Sequence, residues 1–432
     1  MDLLQWFREG KFSGVFIDSR KPLEGGLFIC IRGDKFDGNS FALTAIDSGA
    51  KAALMERHYY EDNRDAFRGK PIAVVEDGEK ALLSLAAKYR DWLNPKVVSV
   101  VGSGGKTNTK NMFAEICRLA FDTHATKGNL NNHIGLPLTL LNMPPSAEIL
   151  VLEMGVSRPG AMKTLASVAR PDIVMMTNIG TSHIENFHSE SNILHEKMQA
   201  NAYHRGDHIL VVNGFDPLLS QLPEQPYRVI CTKPEALEVL SMKQGVHRFR
   251  YRGLEIQLQV PGAFQVKNAL LCVEAARTLG IEDEKIVQGI ENYKGEPQRF
   301  MVSYRGGITI VDDVYNSSPD SIAGAVETLL MLSGKRHLAV LGDVLELGET
   351  AEEIHRRIGE IPQMKQLDKI FTIGDFASHI IEKHPNGEHF RDIRSLIKKL
   401  NETLQQGDVL LVKASRGMEL ERVLRGLEIA DE

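Results

Sequence analysis

The stretch from Val97 to Phe113, VVSVVGSGGKTNTKNMF, joins an apolar run to a glycine-rich turn and then to a helix-like segment. Gly102, Gly104 and Gly105, with Ser103 among them, let backbone N–H groups turn inward, as an anion nest requires. Lys106 opens the helix, whose N-terminus favours negative charge. Thr107 offers a hydroxyl to a metal ion. The chemistry served by this spacing is phosphate binding. The strict nucleotide-loop pattern asks for glycine where Val100 stands, so the textual match fails while the physical requirements are met. The plainer reading is a glycine-rich strand-to-helix turn with no ligand. Three more residues bear on the choice. Glu153 ends EILVLEMG, where a carboxylate after a buried strand is suited to Mg2+, directly or through water; alone, it reads better as a strand-end cap. His183 lies in the loop TNIGTSHIENF, and Lys197 in the helical stretch SNILHEKMQ. A loop histidine is usually solvated and a helix lysine usually a surface charge, so neither carries a role by itself.

These residues need a scaffold, and the pattern of apolar runs supplies one. The chain has 432 residues, enough for two or three domains. Hydrophobic residues at 43% and charged ones at 25% fit a globular protein. A net charge of -6 argues against a nucleic-acid partner. No apolar run reaches membrane-span length, and MDLLQWFREG has acid and base within its apolar part, unlike a secretory signal. Cys30, Cys117, Cys231 and Cys272 are far apart, lack metal spacing and sit in apolar contexts. A reduced, cytoplasmic protein is expected.

Three blocks follow, 1–94, 95–299 and 300–432. DWLNPK closes the first with a helix end and a proline break. The second carries the phosphate-loop candidate and the strand signals EILVLEMG, DIVMMTNIG and HILVVNG, separated by helical or loop segments. This alternation predicts an α/β fold with a parallel sheet covered by helices. The third offers GITIVDDVYN, RHLAVLGD, KIFTIGD and DVLLVKASRG, strands with polar residues at their C-terminal ends, where ligands bind in open α/β sheets.

Longer strings carry a resemblance to the Mur ligases across nearly the whole chain. DSRKPLEGGLFICIRGDKFDGNSFALTAIDSGAKAALMER resembles the family's N-terminal domain. ATKGNLNNHIGLPLTLL resembles a segment characteristic of its D-alanyl-D-alanine-adding members. DDVYNSSPDSI, VLGDVLELGETAEEIHRRIG and LLVKASRGMELE resemble its C-terminal domain. The resemblance implies three α/β domains, with a central P-loop-type parallel sheet and a Rossmann-like C-terminal domain. It implies a monomeric enzyme that uses ATP to join D-alanyl-D-alanine to a UDP-muramoyl tripeptide through an acyl phosphate, in making peptidoglycan precursor.

The same resemblance assigns residues. Gly102, Ser103, Gly104, Gly105, Lys106 and Thr107 would hold ATP phosphates. Thr107 and Glu153 would ligate one Mg2+, and His183 and Lys197 a second, with Lys197 carried as a carbamate. Asn268 would sit at adenine, Arg299 at the phosphates and Asp313 near ribose. Asn131, Asn132, Tyr315, Asn316, Pro319, Asp320, Lys413, Ser415 and Arg416 would meet the peptide substrates. Asp18, Ser19 and Arg20 would meet the UDP-sugar.

The chain departs from the family pattern in places. Phe264-Gln265 replaces His-Asn, Asn108 follows Lys-Thr, Ser317-Ser318 replaces a small residue and asparagine, and Glu196 puts an extra acid beside Lys197. Two other functions therefore stay open: the same ligation on a different carboxylate and amine, or a non-catalytic nucleotide-binding paralogue.

Overall fold

The computed structural model describes residues 3–33, 36–204, 206–243 and 245–429. Four short strands come first: β1 (Val15–Phe16), β2 (Leu27–Ile29), β3 (Ala52–Glu56) and β4 (Ile72–Val75). They pair in parallel in that order. The helix Gly78–Leu93 closes the unit. Asp77 caps its start by accepting from Lys80 N, and Asn94 ends it in the left-handed region at φ 49.

The second sheet contains β5 (Lys96–Val101), β6 (Thr123–Ala125), β7 (Ile149–Glu153), β8 (Ile173–Met176), β9 (Ile209–Val212) and β10 (Arg228–Cys231). Its order is β10-β9-β8-β5-β7-β6, parallel throughout. Helices cover both faces. Val97 and Val101 enter one core while Val98 and Val100 enter the other, and Leu150 and Leu152 oppose Ile149 and Val151 likewise. Burial on both faces is why these strands read as continuous apolar runs. An antiparallel ribbon follows, β11 (Leu237–Lys243), β12 (Val246–Tyr251) and β13 (Leu254–Leu258).

The third sheet holds β14 (Met301–Arg305), β15 (Ile308–Asp313), β16 (Arg336–Gly342), β17 (Lys369–Ile373), β18 (Gly387–Phe390) and β19 (Asp408–Lys413). Its order is β14-β15-β19-β16-β17-β18. Only β14 runs antiparallel to its neighbour. The molecule is thus a three-domain α/β protein. Among the described residues no helix is long and apolar enough to cross a membrane.

Two junctions link the domains. At the first, Leu27, Leu54 and Leu82 share one apolar cluster with Leu140, Leu152 and Met162. The Asn142 amide also pairs with the backbone of Val15, accepting from its N at 2.9 Å and donating to its O at 3.0 Å. Gly14 permits that approach, since a Cβ there would lie 2.3 Å from Asn142 Oδ1. The second junction is sparser. The Phe264 and Phe300 rings meet edge to face at 6.2 Å. The chain crosses with Gln298 and Phe300 at φ 61 and φ 56, flanking Arg299 in a conformation uncommon for side chains of their size.

Candidate active site

In a parallel sheet all C-terminal strand ends lie on one edge, so β5, β7 and β8 deliver their following loops to one place. The Gly102–Gly105 turn is shaped by what β8 leads into. Thr177 Oγ1 donates to Gly104 O at 2.5 Å, and Gly104 N donates to Asn178 Oδ1 at 2.8 Å. Ser103 Oγ accepts from Gly180 N at 2.9 Å. A Cβ on Gly102 would fall 1.9 Å from Thr177 Oγ1, so this position needs glycine. Gly105, at φ 74, starts the helix Lys106–Arg118 with no side-chain cap. The first amides of that helix therefore remain available to an anion.

Two amines converge on one carbonyl. Lys106 Nζ donates to Gly102 O at 3.0 Å, and Lys197 Nζ donates to the same oxygen at 2.9 Å. Lys197 is 5% exposed. Burial, and then repulsion from Lys106, push its amine down to about 7, with Glu196 pulling the other way. Lys106 is also pushed down, chiefly by burial and further by Arg299, while Glu153 opposes.

Glu196 does not face that pair of amines. Its Oε2 accepts from Gly160 N and its Oε1 from Met162 N, both at 2.8 Å. It caps the helix Ala161–Ala169, which has no side-chain cap of its own.

Glu153 is the hub. Its Oε2 accepts from Thr107 Oγ1 at 2.8 Å and its Oε1 from Asn131 Nδ2 at 2.7 Å. Among the described residues no group of three His, Cys, Asp or Glu side chains is arranged to hold a metal. A Mg2+ site does not require one, because this ion keeps waters and substrate phosphates beside one or two protein oxygens. The adjoining Thr107 hydroxyl and Glu153 carboxylate fit that demand. His183 stands in the left-handed region at φ 61, with Nδ1 2.5 Å from Glu346 Oε2 of the third domain. Burial lowers its pKa, Glu346 opposes, and Lys106 and Lys197 push it down further.

Asn268 faces the turn: a Cβ on Gly105 would lie 2.9 Å from its Oδ1. The Arg299 guanidinium stacks over the Tyr315 ring at 3.8 Å. Asp313 and Lys413 are register partners at the ends of β15 and β19. Lys413 Nζ donates to Asp313 Oδ2 at 2.7 Å and to Asn316 O at 3.0 Å, and is 2% exposed. Burial raises the Asp313 carboxyl and Lys413 opposes. Pro319 opens the helix Pro319–Leu330, and Asp320 in its first turn reaches the second domain. A Cβ on Gly180 would meet Asp320 Oδ2 at 2.3 Å. Burial raises Asp320, aided by Glu190 and Asp216.

Other residues make local bonds. Asn132 Oδ1 accepts from Ile134 N and Gly135 N, where the helix Gly135–Leu141 begins. Ser415 Oγ accepts from Leu345 N, and Arg416 pairs with Glu421. Asp18 and Arg20 form a two-pronged pair on the exposed turn with Ser19 after β1. Sequence reasoning did not assign Thr177, Asn178, Thr126 or Glu346. The polar pair Thr177-Asn178 at a strand end was the one available signal.

Three family models match in chain order: the Mur ligase catalytic domain at residues 11–90, the middle domain at 100–276 and the glutamate ligase domain at 298–416. The UDP-N-acetylmuramoyl-tripeptide–D-alanyl-D-alanine ligase of Bacillus subtilis is 34% identical, covering 96% of this chain and 93% of its own. The Escherichia coli protein of the same name is 31% identical, with the same coverage. The crystal structure of MurF ligase from Thermotoga maritima in complex with ADP superposes with a TM-score of 0.85 at 30% identity, covering 99% of this chain and 98% of that one. A MurF structure from Acinetobacter baumannii gives 0.86 at 26% identity, covering 96% and 92%. A phosphate turn backed by β8, a carboxylate hub on β7 and likeness to these relatives along nearly the whole length lead to one conclusion: the chain belongs to the Mur ligase family.

Proposed function

We propose that this protein uses ATP to join D-alanyl-D-alanine to a UDP-N-acetylmuramoyl tripeptide, in the cytoplasm and as a monomer. The observation that carries the reading is the Thr107–Glu153–Asn131 cluster at the mouth of the phosphate turn. It puts an oxygen pair for a hard cation beside a cradle for phosphates, as phosphoryl transfer needs.

In the first step a tripeptide carboxylate oxygen attacks the γ-phosphorus. The bond to the bridging β–γ oxygen breaks, ADP leaves, and an acyl phosphate forms. In the second step the dipeptide amine attacks the acyl carbon, the C–O bond to phosphate breaks, and the amine loses a proton. Lys106 and the helix amides hold the β and γ phosphates and stabilise the charge on the transferring group. Asn268 serves the adenine end and Arg299 the phosphates, with Asp313 near the ribose. Thr107 and Glu153 would hold one Mg2+, and His183 and Lys197 a second. When bound, the ions neutralise phosphate charge and orient the oxygens in line.

An ammonium at Lys197 would oppose a nearby cation. A neutral amine can take up CO2, losing a proton, to give a carbamate with two hard oxygens. Glu196 is committed to its helix and leaves this role to Lys197. Residues 1–94 hold the UDP-sugar through Asp18, Ser19 and Arg20. Asn131, Asn132, Tyr315, Asn316, Pro319, Asp320, Lys413, Ser415 and Arg416 receive the peptides.

The test is product formation from ATP, Mg2+ and a panel of UDP-muramoyl peptides, each paired with amino acids or dipeptides. The expected result is a ligated product with tripeptide and D-alanyl-D-alanine. A clear preference for another pair would replace the substrates and keep the chemistry.

A further inference from the structure

Lys110 lies one turn beyond Thr107 on the phosphate-turn helix. It is 2% exposed and among the largest fully buried side chains. Among the described residues its side chain makes no ion pair and one hydrogen bond, from Nζ to Thr126 O at 2.6 Å. Burial pushes its amine down, with Glu153 and Glu296 opposing. A buried ammonium without an ion-pair partner costs stability, and an apolar side chain of similar length would serve the core as well or better. The cost calls for another function.

The bond ties two parts of the site. Thr126 begins the loop that runs to Asn132. Its Oγ1 accepts from Glu153 N at 3.0 Å, and its N donates to Val151 O at 3.0 Å. Farther along, Asn131 donates to Glu153 Oε1, and its O accepts from Gly155 N at 2.9 Å. Thr107 and Lys110, three residues apart, share one helix face. Thr107 grips the Glu153 side chain, and Lys110 grips the loop that orients it. Beside this tether lies a cavity of about 300 Å³, lined in part by Lys110, Asn111, Thr126 and Lys127. The loop therefore has room to shift if released.

We propose that Lys110 is a positioning residue: it pins the loop from Thr126 to Asn132 to the phosphate-turn helix and so fixes Asn131 and Glu153 relative to Thr107. What Glu153 then does rests on the ligase reading; the tether itself does not.

Lys110→Met removes the bond and keeps the length. Lys110→Arg keeps a cation and its donors, with the adjoining cavity to take the added bulk. Hydrogen exchange of the full chain should show residues 126–132 opening about tenfold faster in Lys110→Met, with the helix 106–118 unchanged. Its melting temperature should equal or exceed that of the wild type. ADP affinity should stay within about twofold while kcat falls at least about tenfold. Lys110→Arg should restore both loop protection and most of kcat. Unchanged loop protection in Lys110→Met would overturn the proposal. So would failure of that variant to fold, which would make Lys110 a fold-holding residue. Failure of the ligase reading would appear separately, as a wild type that makes no ligated product while the exchange result stands.

Discussion

At the junction of the first and second domains, Leu27, Leu54 and Leu82 merge with Leu140, Leu152 and Met162 into one apolar cluster, sealed by the Asn142–Val15 amide pairing. At the junction of the second and third, contact includes the Phe264–Phe300 ring pair, Ile184 packed on the third domain's core, Asp320 against Gly180, and Glu346 against His183. The first junction resembles the inside of one domain cut in two. The second resembles a transient interface, for which relative motion is the default. Rigidity falls where the phosphate site is built. The first two domains act as one block that presents the phosphate turn and Glu153. The third brings Asp313, Tyr315 and Asp320 to the far side of the sparser seam, where opening is the expected motion.

Breaking the apolar junction should have the largest effect. Leu82→Ala should cost about 2–5 kcal/mol of stability. Calorimetry should show the first two domains melting together, earlier than in the wild type; a separate early transition for the first domain alone would dissolve the one-block picture. Lys106→Ala comes next. It should lower kcat by about 10²- to 10³-fold with an unchanged circular dichroism spectrum, because the site at the seam serves chemistry and not folding. Near-normal turnover at saturating ATP would remove Lys106 from the mechanism.

A pH effect of intermediate size comes from Lys197. Its amine sits at about 7 in the fold against the ordinary lysine value of 10.5. Between those values the unfolded chain binds the extra proton, so this group makes stability rise with pH, by at most about 1.4 kcal/mol per unit, and is most unfavourable below about 7. Denaturant midpoints in CO2-free buffer should show that slope in the wild type and a shallower one in Lys197→Met. Equal slopes would contradict the assignment. The smallest effect is expected at the charged contact across that seam. Glu346→Gln should change stability by less than about 1 kcal/mol. Small-angle scattering should nevertheless show compaction of the wild type with an ATP analogue and acceptor, and weaker compaction in the variant. A radius that ignores ligands would mean that the seam is fixed as well.

Much of this scaffold was legible in the residues. The strands DIVMMT and EILVLE are apolar on both faces because helices cover both, and a purely local rule captures that. The phosphate turn was legible because Gly102 and Gly105 are required by backbone geometry. Bonds between distant elements were not legible. Glu196 looked like a spare anion beside Lys197, yet it caps a helix that begins 35 residues earlier in the chain, at Ala161. Asp313 and Lys413 are paired by strand register, which no local pattern in either segment encodes. Nothing in the local sequence around Lys110 marks it as buried, because its burial comes from packing of distant elements.

In the ligase reaction a carboxylate oxygen of the acceptor takes the γ-phosphoryl group before the amine attacks. The measurement supplies the UDP-muramoyl tripeptide with 18O in its terminal carboxylate, together with ATP, Mg2+ and D-alanyl-D-alanine, and weighs the products. Each released phosphate should carry one 18O, and each new amide should keep the other. Phosphate released without label, with oxygen from water in its place, would show that ATP is merely hydrolysed at this site and would contradict the account.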